Sequence, residues 1–125
     1  MAHGLVLVVE DNDKSLKLAC DLLRLRSFEP VPARSGSEAL DVLRSVVPDI
    51  VLMDVQLPDM SAADLLGALR ADERTAAVPV VAVTAFAMKG DRERLLDAGF
   101  DGYISKPIDV ATFVSEFKPL LGCQG

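Results

Sequence analysis

The sequence predicts an α/β domain: a doubly wound, five-stranded parallel sheet flanked by five helices. Three observations lead there. Strand-like and helix-like segments alternate along the chain. Runs such as Leu5 to Val9 and Ile50 to Met53 are apolar at every position rather than at every second one. The segments between them repeat apolar residues at i, i+3, i+4 and i+7, the period of a helix with one buried face. A strand that is apolar throughout is buried on both faces, and a parallel sheet covered by helices provides that burial. Short connections and right-handed crossovers then favour the strand order 2-1-3-4-5.

Leu5 to Val9 forms the first strand, and Glu10 and Asp11 follow it. Leu16, Ala19, Cys20 and Leu23 mark the buried stripe of the first helix. The second strand is required by the alternation rather than by an apolar run of its own. Ala39, Leu43, Val46 and Val47 give a looser helical pattern, opened by Ser35 with Glu38 at capping-box spacing. Ile50 to Met53 is the third strand and leads to Asp54; Ser61 with Asp64 then opens a helix carrying Ala62, Leu65, Leu66 and Leu69. Val78 to Val83 forms the fourth strand and leads to Thr84. The fourth helix is marked by Met88, the stem of Arg92, Leu95 and Leu96, with Gly99 where such a helix would end. A weaker strand, Tyr103 to Ser105, precedes Lys106, and Val110, Phe113, Val114 and Phe117 form the last helix, which Asp109 can cap. The arrangement is flavodoxin-like.

With 125 residues, 50% of them hydrophobic and 26% charged, the chain matches one compact domain over 1–125, its core running from about residue 4 to about residue 121. A domain of this size buries roughly two-thirds of its unfolded surface. A net charge of -6 without any Lys/Arg block argues against nucleic acid as a partner, because phosphate backbones need clustered cations. No apolar run approaches the roughly 20 residues that span a bilayer, and the first residues lack the regions of a signal peptide. No membrane partner and a cytoplasmic location are therefore expected. Cys20 falls inside a helical pattern and reads as core, while Cys123 lies in a Gly-flanked tail; two such cysteines make neither a disulfide framework nor a metal spacing.

Ligands of open α/β sheets bind at the carboxyl edge, where this chain would gather Glu10, Asp11, Asp54, Thr84 and Lys106. Three carboxylates on two neighbouring strands repel; at about 4 Å and an effective dielectric near 20 the cost is roughly 4 kcal/mol per pair. A cation is needed, and all-oxygen ligands with room for waters suit Mg2+. Lys106 supplies a point charge and Thr84 a hydroxyl, both matched to the oxygens of a transferring phosphoryl group. Asp54 is then the nucleophile, since a carboxylate can become an aspartyl phosphate.

These residues, in this order and at these strand ends, resemble the receiver domains of two-component response regulators, the CheY-like family. The pattern comprises Glu10-Asp11, Asp54 in Leu-Met-Asp-Val-Gln-Leu-Pro, Thr84-Ala85 and Lys106-Pro107, and the match covers nearly the whole chain. The resemblance implies that Asp54 is the phosphoacceptor. Asp11, Asp54 and the backbone carbonyl of Gln56 would ligate Mg2+, and Glu10 would act mainly through water. Thr84 and Tyr103 match the switch positions that carry the phosphorylation signal to the face formed by the fourth helix, fifth strand and fifth helix. The implied partners are a histidine kinase or histidine phosphotransfer protein as donor, docked on the first helix, and a downstream protein target on the face with Lys89, Arg92 and Tyr103; a homodimer is left open. Such a protein is no enzyme towards a separate substrate, although it assists its own phosphotransfer and dephosphorylation.

Each residue also has a plainer reading. An acidic pair after a strand often only favours the positive end of a helix, Lys106 could be a solvated turn residue, and Tyr103 a half-buried packing residue. Haloacid-dehalogenase-like phosphatases also form an aspartyl phosphate, but they place a second Asp two residues beyond the nucleophile, where this chain has Gln56. A nucleotide- or flavin-binding domain would follow its first strand with a glycine-rich turn, and Asp11-Asn12-Asp13-Lys14 has no glycine. A receiver that binds without being phosphorylated is disfavoured by the complete set of site residues, whereas a receiver cut from a hybrid histidine kinase would carry the same set. Two departures from the family pattern stand out, one of them Phe86, large and apolar two residues beyond Thr84 where polar residues in relatives often orient the hydrolytic water. Ala62 occupies a position where most receivers have Gly, so strain or a different shape is expected in the loop leading to it.

Overall fold

The computed structural model describes residues 4–25, 28–54, 59–84, 93, 97 and 99–105, with the backbone alone for 84 and 103–105. The elements are β1 (Gly4–Val9), α1 (Asp13–Leu25), β2 (Phe28–Ala33), α2 (Gly36–Leu43), β3 (Ile50–Asp54), α3 (Ala62–Ala71), β4 (Val80–Thr84) and β5 (Gly102–Ser105). The five strands form one sheet in the order β2-β1-β3-β4-β5, and every neighbouring pair is parallel. Of the fourth helix expected around Leu95, the described residues Glu93 and Asp97 are helical and exposed; the fifth, around Phe113, lies outside the described residues with Asp109 and Cys123.

Strand parity sorts the core into two layers. Val6 and Val8 of β1, Ile50 and Leu52 of β3, and Val81 and Val83 of β4 pack with Leu16, Ala19, Cys20, Leu22 and Leu23 of α1. Leu7, Val9, Val51, Met53, Val80 and Ala82 point the other way and pack with α2 and α3 through Ala39, Leu43, Ala62, Leu65, Leu66 and Leu69. This is why the strands read as unbroken apolar runs: both faces of the sheet are covered. Cys20 is buried, as expected of a core residue.

β2 explains its missing apolar run. Its sequence, Phe-Glu-Pro-Val-Pro-Ala, carries Pro30 and Pro32 opposite Val6 and Val8. Proline cannot donate to a ladder and is confined to edge strands. Two prolines at a spacing of two remove donors from the same side of the strand, which for β2 is its open side, so the exposed edge offers few N–H groups to another chain.

Helix ends follow the local signals. Ser35 and Ser61 are extended N-caps, their hydroxyls accepting from the N–H groups of Glu38 and Asp64 at 3.1 and 3.0 Å. Ser61 has φ of -75° and Ala62 is already helical. At these two residues the loop therefore needs no glycine-like conformation, and the strain expected from Ala62 is absent. α2 stops at Leu43, short of the pattern that includes Val46 and Val47; Val46 is half-buried and Val47 exposed. Pro48 accounts for this, because it pushes the preceding residue out of the helical region. Gly99 has φ of 113°, the left-handed conformation expected just beyond a helix.

Beyond α3 the chain is held by Arg70, whose guanidinium donates to the carbonyls of Ala76, Val78 and Gly99 and to the carboxylate of Asp101. Asp101 also accepts from the N–H of Val80. One cation thus joins the end of α3 to the starts of β4 and β5, at the sheet edge opposite the acidic cluster.

Candidate metal and phosphoacceptor site

The register of β1 and β3 builds the site. Val8 pairs with Leu52 and Val9 with Met53, so one step further the same register brings Glu10 beside Asp54. Both share the parity of Val8 and Leu52, which places them on the α1 side of the sheet. Parallel strands lie about 4.8 Å apart, and residues matched in both register and parity have their side chains forced together. Glu10 and Asp54 are buried, at 4% and 5% exposure. Asp11, exposed at the start of the turn into α1, completes a group in which one carboxylate oxygen from each residue lies within 4.8 Å of the other two.

Three structures hold the turn from β1 to α1. The N–H of Glu10 donates to the carbonyl of Ala33 at 2.9 Å, continuing the ladder to β2. Asn12 caps α1, its side-chain oxygen accepting from the N–H groups of Lys14 and Ser15 at 3.0 and 3.1 Å, while its own N–H donates to the Glu10 carboxylate at 3.2 Å. Asp13 pairs with Arg34 of the β2–α2 loop, which occupies a fourth carboxylate next to the cluster.

On the β3 side, Asp59 grips the start of α2. Its carboxylate accepts from the N–H groups of Gly36 and Ser37, both at 2.9 Å, and from the Ser37 hydroxyl at 2.7 Å. The adjacent Met60 fills the space above Gly36, where a Cβ would fall 2.4 Å from Met60 Cγ. Sequence reasoning did not single out Asn12 or Asp59. Asn12 carries a usable signal, an N-cap residue directly ahead of a helical pattern, whereas nothing local marks the reach of Asp59 to α2.

Of the sequence-predicted site residues, Glu10, Asp11 and Asp54 converge. Thr84 ends β4 and Tyr103 lies in β5, with Ala82 opposite Tyr103 and Thr84 opposite Ser105; their backbones stand on the two strands next to β3 on its far side. Lys106 and Gln56 lie outside the described residues, as do Lys89, Arg92, Ala85 and Pro107. The three converging carboxylates fit a hard divalent cation: they offer only oxygen, two of them are largely withdrawn from water, and their mutual repulsion is relieved by positive charge.

A doubly wound sheet in this strand order, with clustered acids at the carboxyl ends of its first and third strands, defines the receiver class of signalling domains. The chain belongs to the response regulator receiver domain family, whose model matches residues 6–118. It is 48% identical over 117 residues to the polar-differentiation response regulator DivK of Brucella ovis, the match covering 94% of this chain and 95% of that protein. Among solved structures, a CheY-like response regulator receiver domain protein from Methanospirillum hungatei is 26% identical with a TM-score of 0.84, covering 96% of this chain and 94% of that one. The receiver domain of the sensor histidine kinase PA1611 from Pseudomonas aeruginosa is 30% identical with a TM-score of 0.80, covering 94% and 93%, and holds a magnesium ion in its active-site cleft. Phosphorelay signalling goes with this membership, and receiver domains as a class work with histidine kinases and downstream targets. Among the described residues no helix is long and apolar enough to cross a membrane.

Proposed function

We propose that this receiver takes a phosphoryl group from the phosphohistidine of a histidine kinase or phosphotransfer protein onto Asp54. The P–N bond to the donor imidazole breaks, a P–O bond to the Asp54 carboxylate forms, and the imidazole leaves with the bonding pair. The observation that carries the reading is the buried Asp54 carboxylate within 4.8 Å of the Glu10 and Asp11 carboxylates. Asp11, Asp54 and the carbonyl of Gln56 would hold Mg2+, with Glu10 acting through water. The ion would supply positive charge against the acids and the incoming phosphoryl oxygens. Lys106 and Thr84 would receive the remaining oxygens, and Tyr103 would pass the change to the face that binds the target.

The protein is then a phosphoacceptor acting in the cytoplasm, not an enzyme with a separate substrate, and its output is a change of protein partner. Leu18 and Leu25 are exposed on α1, at 41% and 76%, and their spacing of seven puts them on one helical face, which supports docking of the donor there. A free-standing regulator is favoured by the DivK match, which spans nearly the full length of both proteins. The alternative, a receiver belonging to a hybrid kinase, draws on the likeness to the PA1611 domain.

Incubation with acetyl phosphate and Mg2+ tests the reading by intact-protein mass spectrometry. One phosphoryl group is expected, requiring Mg2+ and lost in Asp54→Ala. Labelling that survives in Asp54→Ala overturns the assignment.

A further inference from the structure

We propose that Asn12 is a positioning residue for the cation site: by capping α1 with its side chain it fixes its own main-chain N–H on the Glu10 carboxylate. This rests on the Mg2+ reading of the cluster. Asn12 lies directly between the acidic pair and the helix, and it bonds in both directions. Its Oδ1 accepts from the N–H groups of Lys14 and Ser15, its carbonyl accepts from the N–H of Leu16 at 2.9 Å, and its N–H reaches Glu10 Oε2. The three bonds to α1 leave residue 12 little freedom to rotate, so the orientation of its N–H is set by the helix, and α1 is in turn packed on the sheet through Leu16, Ala19, Cys20 and Leu23.

The carboxylate held in this way is the one that most needs holding. Glu10 has the longest side chain of the three acids, it is buried beside Asp54, and repulsion from Asp54 and Asp11 would favour any rotamer that turns it away. The Asn12 N–H opposes that turn and helps to keep Glu10 in the cluster before a cation arrives. A ligand shell organised in advance binds its ion more tightly, because ordering is not charged against binding, and loss of an outer partner typically weakens metal affinity by about tenfold or more. The Asp13–Arg34 pair anchors the same turn from its other end.

The test separates positioning from helix stability by choice of residue. At an N-cap, Gly costs only a few tenths of a kcal/mol relative to Asn, and Ser caps about as well as Asn. Gly has no side-chain acceptor and restores backbone freedom at residue 12, whereas Ser retains an acceptor. Mg2+ dissociation constants of the unphosphorylated full chain are measured by amide NMR titration for wild type, Asn12→Gly and Asn12→Ser, alongside melting temperatures in EDTA. Asn12→Gly is expected to bind Mg2+ about tenfold more weakly while melting close to wild type, and Asn12→Ser to regain affinity within about twofold of wild type. Wild-type affinity in Asn12→Gly, or equal weakening in Gly and Ser variants, overturns the proposal. Failure of wild type itself to bind Mg2+ would instead overturn the reading of the cluster on which it rests.

Discussion

Asp59 illustrates how a single residue couples a loop to the start of a helix. Three donors converge on its carboxylate, and they hold its carboxyl below the usual carboxylate range: the Ser37 hydroxyl chiefly, then the N–H groups of Gly36 and Ser37. A folded value below the unfolded one, which is near 3.9, contributes stability that is fully present above the unfolded value. That contribution is lost as pH falls through the folded value. Asp59→Asn should therefore melt below wild type by a constant margin between about pH 5 and pH 7, with the margin shrinking below about pH 4. A margin unchanged down to about pH 2.5 in thermal unfolding would show that the charge of Asp59 plays no part. At this scale the acids of the site were legible, because a carboxylate at the end of an apolar strand is conspicuous in sequence. Asp59 was not, because its partners Gly36 and Ser37 are more than twenty residues away and belong to another element.

Among the elements, α3 shows local signals and packing in agreement. Ser61 caps it, and Leu65, Leu66 and Leu69 fill the layer beneath the sheet. Leu69 is 1% exposed, and its carbonyl accepts from the buried Thr75 hydroxyl at 2.6 Å, so the side chain and the backbone of one residue serve the core and the helix end together. Leu69→Ala should cost about 2–5 kcal/mol in urea unfolding, for lost apolar contact and the cavity left behind, without removing phosphorylation at Asp54. A cost below about 1 kcal/mol would mean the layer collapses around the gap. β2 and α2 mark the limit of periodicity. The prolines of β2 break an apolar run yet suit an edge, and the α2 pattern runs past its true end because Val46 and Val47 match the period while Pro48 stops the helix.

Across the whole molecule, the fold stores like charge at the carboxyl edge and fixes the opposite edge with Arg70. Mutual repulsion among the three acids opposes folding, and a cation that binds the folded state alone would stabilise it by mass action, about 2.7 kcal/mol when the ion is at a hundred times its dissociation constant. Mg2+ should thus raise the melting temperature and EDTA should reverse the rise. Asp54→Asn should melt above wild type in EDTA, since it removes one of three mutually repelling charges, and should lose most of the Mg2+ response. A variant that melts below wild type in EDTA and still responds to Mg2+ in full would place the cation elsewhere.

The sequence by itself determined the strand and helix alternation, burial of the sheet on both faces, the Ser35 and Ser61 caps and the acids that end β1 and β3. These depend on period and on neighbouring residues, which a chain states locally. The sequence gathered Glu10 and Asp54 at one edge, but only the tertiary structure decided that they stand in register on one face of the sheet, that Asn12 faces Glu10 and that Asp59 reaches α2. Those meetings depend on the register of β1 against β3 and on where each helix lands. Register is set by packing between segments some forty residues apart, and no local pattern records it.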